Sequence, residues 1–534
     1  MGTVTYFVRF LRRASQWLEM QEILAWPDKK GRVGRKFAMR ASREIFGNVA
    51  SALLGFFQPG VVCLAAAAIT AGLGFQHANS KPISIWPSYR DNPFVFRTDQ
   101  PLANESAGGI SVADVTGDGL MDFLYSTPGA LGAYDHWGKK LWVLKEDIWL
   151  TGTAENDGLP GGHHPGFQAA DIDGDGKTEV LFLTSDGRLH IVDGASGRSE
   201  RVGRPPVPDR VAHWEVVMAA NLRGKGDRDI ILQACPSTGP DSRRGLKRGS
   251  FLAAFAGDKL EGPPLWQTEN YWGLAHGPAR IADMDGDGRD EVAGVTFVDH
   301  DGSFVQTWAY PPISKEIAGG ASFHIDSLFI YDVRPDIPGL EAVLLEEGRD
   351  HVALVNMRKG ILWHKAGPER EEPQNAAVGE FDPTRPGLEI WCRSRRNTNQ
   401  TPWVFDSSGN VIAQWKMAEK APSDWTNRGV EEISVVDWDG SNPRFCAAKE
   451  RHKQGDICIF NPMTGDFVRR WKERAARILV ADVAGDSREE LVVLSGSEIH
   501  IYWNDRPNPH ARWPRYWTQQ HYRRSKANWN YYSP

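Results

Sequence analysis

A nine-residue acidic turn returns along this chain at a near-regular interval, and that recurrence leaves few architectures open. Its full form is Asp171-Ile-Asp-Gly-Asp-Gly-Lys-Thr-Glu179, with carboxylates at Asp171, Asp173, Asp175 and Glu179. Alternating acids on a Gly-bearing turn supply the roughly six to eight oxygens that a hard cation such as Ca²⁺ takes. Lys177 offers only its carbonyl. The place where an EF-hand sets its closing Glu is Phe182 here, inside the short apolar run Val180-Leu-Phe-Leu-Thr184, which reads as a buried strand. The turn therefore joins two strands. Asp283-Met-Asp-Gly-Asp-Gly-Arg-Asp-Glu291 repeats it in full, with Asp285 and Asp287 in register. A third copy has Asp114, Thr116, Asp118 and Asp122 at the four ligand places. Asp482 to Glu490 has Ala484 at the third place, and Asn221 to Asp229 keeps the shape while Arg223 and Lys225 repel a cation. Asp332 to Glu341 and Glu380 to Glu389 share a Pro-Gly-Leu-Glu ending, and Asp437-Trp-Asp-Gly440 is the eighth copy. First positions are spaced by 57, 50, 62, 49, 48, 57 and 45 residues. A period of that size marks one supersecondary unit per repeat.

Each repeat follows one grammar. A short strand such as Phe167-Gln-Ala-Ala170 enters the turn and an apolar strand leaves it. A third strand follows a Gly turn, as at Asp186 to Val192. An outer strand then carries a Trp: Asp135 through Gly138 to Trp142, Asn356 through Gly360 to Trp363, Asp406 through Gly409 to Trp415, Asn461 through Gly465 to Trp471. Four strands per repeat make the blade of a β-propeller. The expected fold is an all-β, eight-bladed β-propeller. Seven blades would require one degenerate turn to be an insertion, and a solenoid would require capping ends that the sequence does not display. The 534 residues suit one propeller with additions, and 41% apolar residues suffice for its core. A net charge of −6 gives no reason to expect a nucleic-acid partner. Cys63, Cys235, Cys392, Cys446 and Cys458 show no CxxC spacing, which argues against zinc and against a disulfide framework; a single Cys446–Cys458 bridge stays open.

Residues 1–44 carry ten Lys and Arg, whereas residues 45–80 contain no charged side chain. The apolar core Val61 to Phe75 has the length of a signal-peptide h-region, and Val49 to Phe75 is long enough to span a membrane but is interrupted by Gln58-Pro59. An N-terminal signal anchor is favoured over a cleaved signal peptide. Either one leaves a basic cytoplasmic segment and puts everything after residue 80 outside the cytoplasm, in the periplasm or at the cell surface. Residues 81–105 read as a linker contributing one strand at Phe94-Val-Phe96, residues 106–505 as the propeller, and residues 506–534 as an aromatic, basic strap packed across it.

The acidic turn followed by an apolar strand resembles the FG-GAP, integrin α-type, calcium-binding repeat. Eight such repeats, the Pro-Gly-Leu-Glu variants and the Asn- and Tyr-bearing end, Trp529-Asn-Tyr-Tyr532, also resemble bacterial family 11 rhamnogalacturonan lyases, secreted eight-bladed propellers that bind calcium. The resemblance implies that the acidic turns join first and second strands at one end of the ring. The segment before each first strand then lies at the opposite mouth of the channel. Those segments hold His163 and His164, His213 and Trp214, His276, His324, Gln374 and Asn375, and Trp425, Asn427 and Arg428. Aromatic faces and amides gathered on one rim suit a sugar. The plainer alternative is loop residues packing on their neighbours. A uronate-directed polysaccharide lyase would need a base near neutral pKa, here His164 or His276, and a cation at the carboxylate, here Arg428 or Ca²⁺. A non-catalytic module that binds a polysaccharide or a cell-surface protein is the alternative function.

Overall fold

The computed structural model describes residues 84–100, 108–150, 164–235, 250–274, 277–307, 325–347, 350–365, 372–394, 400–451 and 454–527. All lie in the second of the chain's two units, Lys81–Pro534. They form eight antiparallel sheets of four strands each, so the eight-bladed count holds and the seven-bladed one is excluded. Blades 1 to 7 are unbroken meanders spanning residues 109–144, 167–203, 216–268, 280–307, 325–365, 373–414 and 430–475. Blade 8 takes Arg477–Ala481, Glu490–Ser495 and Glu498–Tyr502 from one side of the sequence and Phe94–Arg97 from the other, with Phe94 opposite Ile501. The strand foreseen within 81–105 is thus the outer strand of the last blade, and it closes the ring by pairing the two ends of the propeller in one sheet.

The recurrent outer-strand Trp has a packing explanation. Its ring slides under the turn of the next blade, and its indole N–H finds a carbonyl there. Trp142 Nε1 donates to Gly194 O at 2.8 Å, Trp363 Nε1 to Ser407 O at 3.1 Å, and Trp415 Nε1 to Pro462 O at 2.9 Å. Trp266 does the same with His300 O at 2.9 Å. The turn glycine above each ring is required for this fit. Gly409 has φ +83°, and a Cβ on it would stand 2.7 Å from the Trp363 ring. An aromatic side chain with its polar handle satisfied adds both apolar contact area and a hydrogen bond across the interface.

The C-terminal segment lies over the end of the ring that carries the acidic turns. Its helix, Gln520–Ala527, packs on inner strands of blades 1, 4, 5 and 8. Lys526 Nζ donates to Glu489 Oε1 at 2.6 Å and to Val435 O at 2.8 Å. Arg524 joins Asp290 at 2.9 Å to Asp227 at 2.8 Å, and Tyr522 OH donates to Glu489 at 2.9 Å. Between this helix and the inner strands of blades 1 to 3 lies a cavity of about 340 Å³, lined in part by Asp114, Gln168, Asp227 and Arg523.

The N-terminal membrane or signal helix expected at 45–80 falls outside the described residues. Among the described residues no helix is long and apolar enough to cross a membrane. The Cys446–Cys458 bridge is not formed. Both thiols are free and buried, and the strand register sets them apart, with Cys446 opposite Phe460 and Cys458 opposite Ala448.

Candidate functional site

Two ends of the ring concentrate charge. At one end, the acidic turns before that at 437, and the one at 482, are organised by a closing carboxylate, which sits at or next to the start of the second strand and accepts main-chain N–H groups of the turn. Glu179 Oε2 accepts from Ile172 N at 2.9 Å, Glu291 Oε2 from Met284 N at 2.7 Å, Glu389 Oε2 from Phe381 N at 2.7 Å and Glu490 Oε2 from Val483 N at 2.8 Å. The first acid folds the turn back on itself: Asp171 accepts from Gly174 and Gly176, and Asp283 from Gly286 and Gly288.

In the two full turns the remaining oxygens converge. Asp171, Asp173 and Glu179 each offer one oxygen within 4.8 Å of the others, and so do Asp283, Asp285 and Glu291. The fifth-place acids depart from the expected set. Asp175 is engaged by Lys177 Nζ at 2.8 Å, and Asp287 groups instead with Glu291 and His300. Asp285 also meets the guanidinium of Arg358. Burial and then the neighbouring acids push the Glu179 carboxyl up to about 7 and that of Glu291 up to about 9. Glu291 is fully buried, and among the described residues its Oε1 has no hydrogen-bond partner. An all-oxygen, anionic donor set with an orphaned buried oxygen fits Ca²⁺. In the turn at 114, Thr116 Oγ1 instead donates to Asp122 Oδ2 at 2.9 Å, while Asp114 and Asp118 accept main-chain N–H groups. In the turn at 221, Arg223 pairs with Asp229.

The opposite end carries a buried charged arc across blades 4 to 8. Its residues stand where inner strands begin and second strands end. Inner strands supply Arg280, Asp326, Gln374, Glu431, Glu432 and Arg477; second strands and their exits supply Arg393, Lys449 and Arg451. Each is at most 4% exposed. Lys449 Nζ meets Glu431 at 2.7 Å, Arg477 Nη1 meets Glu432 Oε1 at 3.4 Å, and Ile478 N donates to Glu432 Oε2 at 2.7 Å. Arg393 Nη1 and Arg451 Nη2 both donate to Gln374 Oε1, at 3.0 and 2.9 Å. In blades 5, 6 and 7 the register slips at these positions, between Ile325 and Ser327, Pro373 and Asn375, and Glu431 and Ser434. Such bulges re-aim side chains and gather next to functional sites. Glu432 is also held at φ 51°, a left-handed conformation that a non-glycine residue adopts at a cost. Burial raises its carboxyl to about 7 against the pull of Arg477 and Lys449.

The rim residues expected from sequence distribute unevenly. Gln374 and Asn375 lie in the arc, and Asn375 is fully buried. His164 is buried, its Nδ1 accepts Gly166 N–H at 3.1 Å, and burial followed by the charge of Arg280 lowers its pKa to about 4. Trp214 packs in the core with Val211 and Val217. Trp425 is buried in the core and packs on Phe467, with ring centroids 5.1 Å apart. Asn427 and Arg428 are exposed before the inner strand of blade 7. His163, His276 and His324 lie outside the described residues. Sequence reading missed Arg280, Asp326, Glu431, Glu432 and Arg477. The available signal was a charged residue opening an otherwise apolar inner strand, as in Val430-Glu-Glu-Ile-Ser-Val-Val436.

Comparison with known proteins gives a consistent result. The family described as rhamnogalacturonan lyase family 11, C-terminal domain, matches residues 267–533, half of the chain. The chain is 25% identical over 464 residues to the rhamnogalacturonan exolyase YesX of Bacillus subtilis, covering 74% of this chain and 71% of that protein. It is 25% identical over 515 residues to the rhamnogalacturonan endolyase YesW of the same organism, covering 82% and 74%. Among solved structures, a Bacillus licheniformis rhamnogalacturonan lyase has a TM-score of 0.56 at 20% identity, covering 83% of this chain and 81% of that one.

Proposed function

We propose a polysaccharide lyase acting on uronate-containing glycan, because the chain belongs to rhamnogalacturonan lyase family 11. The observation that carries the reading is the buried charged arc: the family match covers residues 267–533, and every residue of the arc, from Arg280 to Arg477, lies within it. Lyase chemistry removes the proton beside a uronate carboxylate and expels the 4-linked sugar oxygen. It needs a proton acceptor near neutral and positive charge where the enolate develops. Glu432, with its carboxyl at about 7, is the acceptor, and Arg393, Lys449, Arg451 and Arg477 supply the positive field. His164 is neutral at pH 7 and can accept a proton, with less driving force than a base near neutral pKa. Asn427 and Arg428 are exposed beside the arc, where an extended polymer would run.

Ca²⁺ belongs to the acidic turns in this reading. Asp171, Asp173 and Glu179, and likewise Asp283, Asp285 and Glu291, would hold it, and when bound it supplies charge neutralisation within the turn. The turn at 114 holds an ion more weakly and the turn at 221 none. The uncharged residues 45–80 behind ten basic side chains support export, anchored or secreted, to where such a polymer lies. The test is incubation with rhamnogalacturonan while following the ultraviolet absorbance of unsaturated uronates. Product formation supports the lyase; retained glycan binding without product would make the chain a non-catalytic glycan-binding module.

A further inference from the structure

Among the described residues three tryptophans are exposed, Trp86 at 54%, Trp137 at 54% and Trp513 at 48%, and all three stand on one strip of surface. The strip lies at the acidic-turn end, on the seam where blade 8 closes onto blade 1. Trp137 is in the turn between the third and outer strands of blade 1, and His136 N of that turn donates to Asp122 Oδ1 at 2.9 Å, beside the acidic turn at 114. Residues 84–91 run alongside. Ser88 N donates to Ala484 O at 2.9 Å in the acidic turn of blade 8, and Ser88 Oγ meets His136 Nε2 at 2.8 Å. Ile85 O accepts Asn508 N at 2.7 Å, which draws in the loop that carries Trp513.

The rings are braced. Trp513 stacks on His510 with centroids 3.7 Å apart, so one indole face is covered and the exposed area belongs to the rest of the ring. Trp137 meets the buried Tyr89 and His136 at near right angles, with centroids 6.0 and 4.7 Å apart. Leaving these indoles in water forgoes burial that the other described tryptophans obtain at least in part. Arg90, Arg506 and Arg512 are exposed along the same strip. A continuous apolar face suits a protein or a bilayer. Separate indoles among guanidinium groups suit an acidic polysaccharide, because a flat ring covers the C–H face of a sugar and the cations attract its carboxylates.

We propose that Trp86, Trp137 and Trp513 form a second polysaccharide-binding surface, at the end of the ring opposite the charged arc, which holds the polymer while the arc works on it. This rests on the lyase reading only for the class of polymer. The height of a blade, roughly 17–20 Å of strand, separates the two sites. A long polymer engages both and gains affinity from the second contact, whereas a short oligosaccharide engages one at a time.

The test compares the full chain with Trp86→Ala, Trp137→Ala and Trp513→Ala combined. The probes are long rhamnogalacturonan, an oligosaccharide of it too short to span a blade, and vesicles of phosphatidylcholine with phosphatidylglycerol. The substituted side chains are exposed, so the thermal midpoint should stay near that of wild type. The triple variant should raise KM for the long polymer about tenfold, with kcat unchanged and with kcat/KM on the oligosaccharide unchanged. In a Glu432→Gln background, where cleavage is suppressed, it should also lose most of the retardation in native gels containing the polymer. That reading needs no turnover, so retardation lost in the triple variant sustains the surface even where wild type forms no unsaturated product and the lyase falls. Unchanged KM together with unchanged retardation overturns the surface and leaves the lyase standing. No retardation of the parent protein also overturns it. Vesicle binding by wild type that the triple variant loses, with retardation unchanged, assigns the strip to a bilayer and overturns the proposal. An equal rise in KM for polymer and oligosaccharide does so too, because the rings would then act at the arc. Should the triple variant fail to fold, the three single variants replace it, and unchanged KM and retardation in all three overturn the proposal.

Discussion

Arg223 donates through Nε to Oδ1 of Asp229 at 2.8 Å, so the acidic turn at 221 closes on an arginine of its own. Other incomplete turns do likewise. Arg334 pairs with Asp336, Arg385 with Asp382 and Arg488 with Asp486, while Asp437 is met by Arg515 of the C-terminal segment. In the two full turns, Glu179 and Glu291 are met only by main-chain N–H groups among the described contacts.

That contrast sets the metal prediction. Chelator should lower the thermal midpoint of wild type, and added Ca²⁺ should restore it, with roughly 2.7 kcal/mol of stabilisation at a hundredfold excess over Kd. Asp173→Ala with Asp285→Ala should abolish most of the shift, while Arg223→Ala should leave it intact and cost stability by leaving the buried Asp229 carboxylate with the main-chain N–H of residue 223 and no guanidinium. A double variant that keeps the full Ca²⁺ shift would make these turns ordinary hairpins.

Glu432 gives the pH prediction. Its ionised form is the acceptor, so kcat/KM should fall as pH drops below about 7, and Glu432→Gln should lose roughly a hundredfold or more in kcat at every pH. The stability sign runs the other way. The folded pKa is raised above the ordinary 4.5, so the contribution of the protonated carboxyl is full below that value and is lost as pH rises through about 7. Glu432→Gln should therefore be more stable than wild type near pH 8 and nearly equal near pH 4, read by thermal unfolding at both.

How far the chain could be read in advance follows from which physical signal each feature leaves. Eight turns with a period near fifty residues announce eight blades, and the outer-strand Trp and turn Gly announce the interfaces now seen at Trp363 and Gly409. Ring closure by Phe94–Arg97 left only a three-residue apolar hint. The mouth was placed by family resemblance, and it found Gln374 and Asn375 but also Trp214 and Trp425, because a loop position does not say which way a side chain turns. Glu431 and Glu432 were hidden by the bulge. A strand alternates faces, so two adjacent acids read as one on each side, and the register slip lets both be buried in the arc.

His164 should make the propeller sensitive to acid. Burial lowers its pKa from 6.5 to about 4, so its contribution is present above 6.5 and is lost as pH falls through 4. The loss is of order 3 kcal/mol. His164→Gln should flatten the fall in thermal midpoint between those pH values, and an unchanged slope would place the acid sensitivity elsewhere.

Lys526 anchors the C-terminal helix on Glu489, and both are 3% exposed. Lys526→Ala should cost roughly 3 kcal/mol or more, because it leaves a buried carboxylate with less compensation. Lys526→Ala combined with Glu489→Gln should recover part of it. Denaturant midpoints of Lys526→Ala, Glu489→Gln, the double variant and wild type decide the matter, and an additive double variant would mean that the pair does not hold the helix.

The most direct measurement is the ultraviolet absorbance of wild-type protein incubated with rhamnogalacturonan, with Glu432→Gln run beside it. Absorbance should rise steadily with wild type as unsaturated uronate ends accumulate, and rise at least about a hundredfold more slowly with the variant. No rise with wild type on rhamnogalacturonan, in the presence of Ca²⁺ and from pH 5 to about 9, would contradict the lyase.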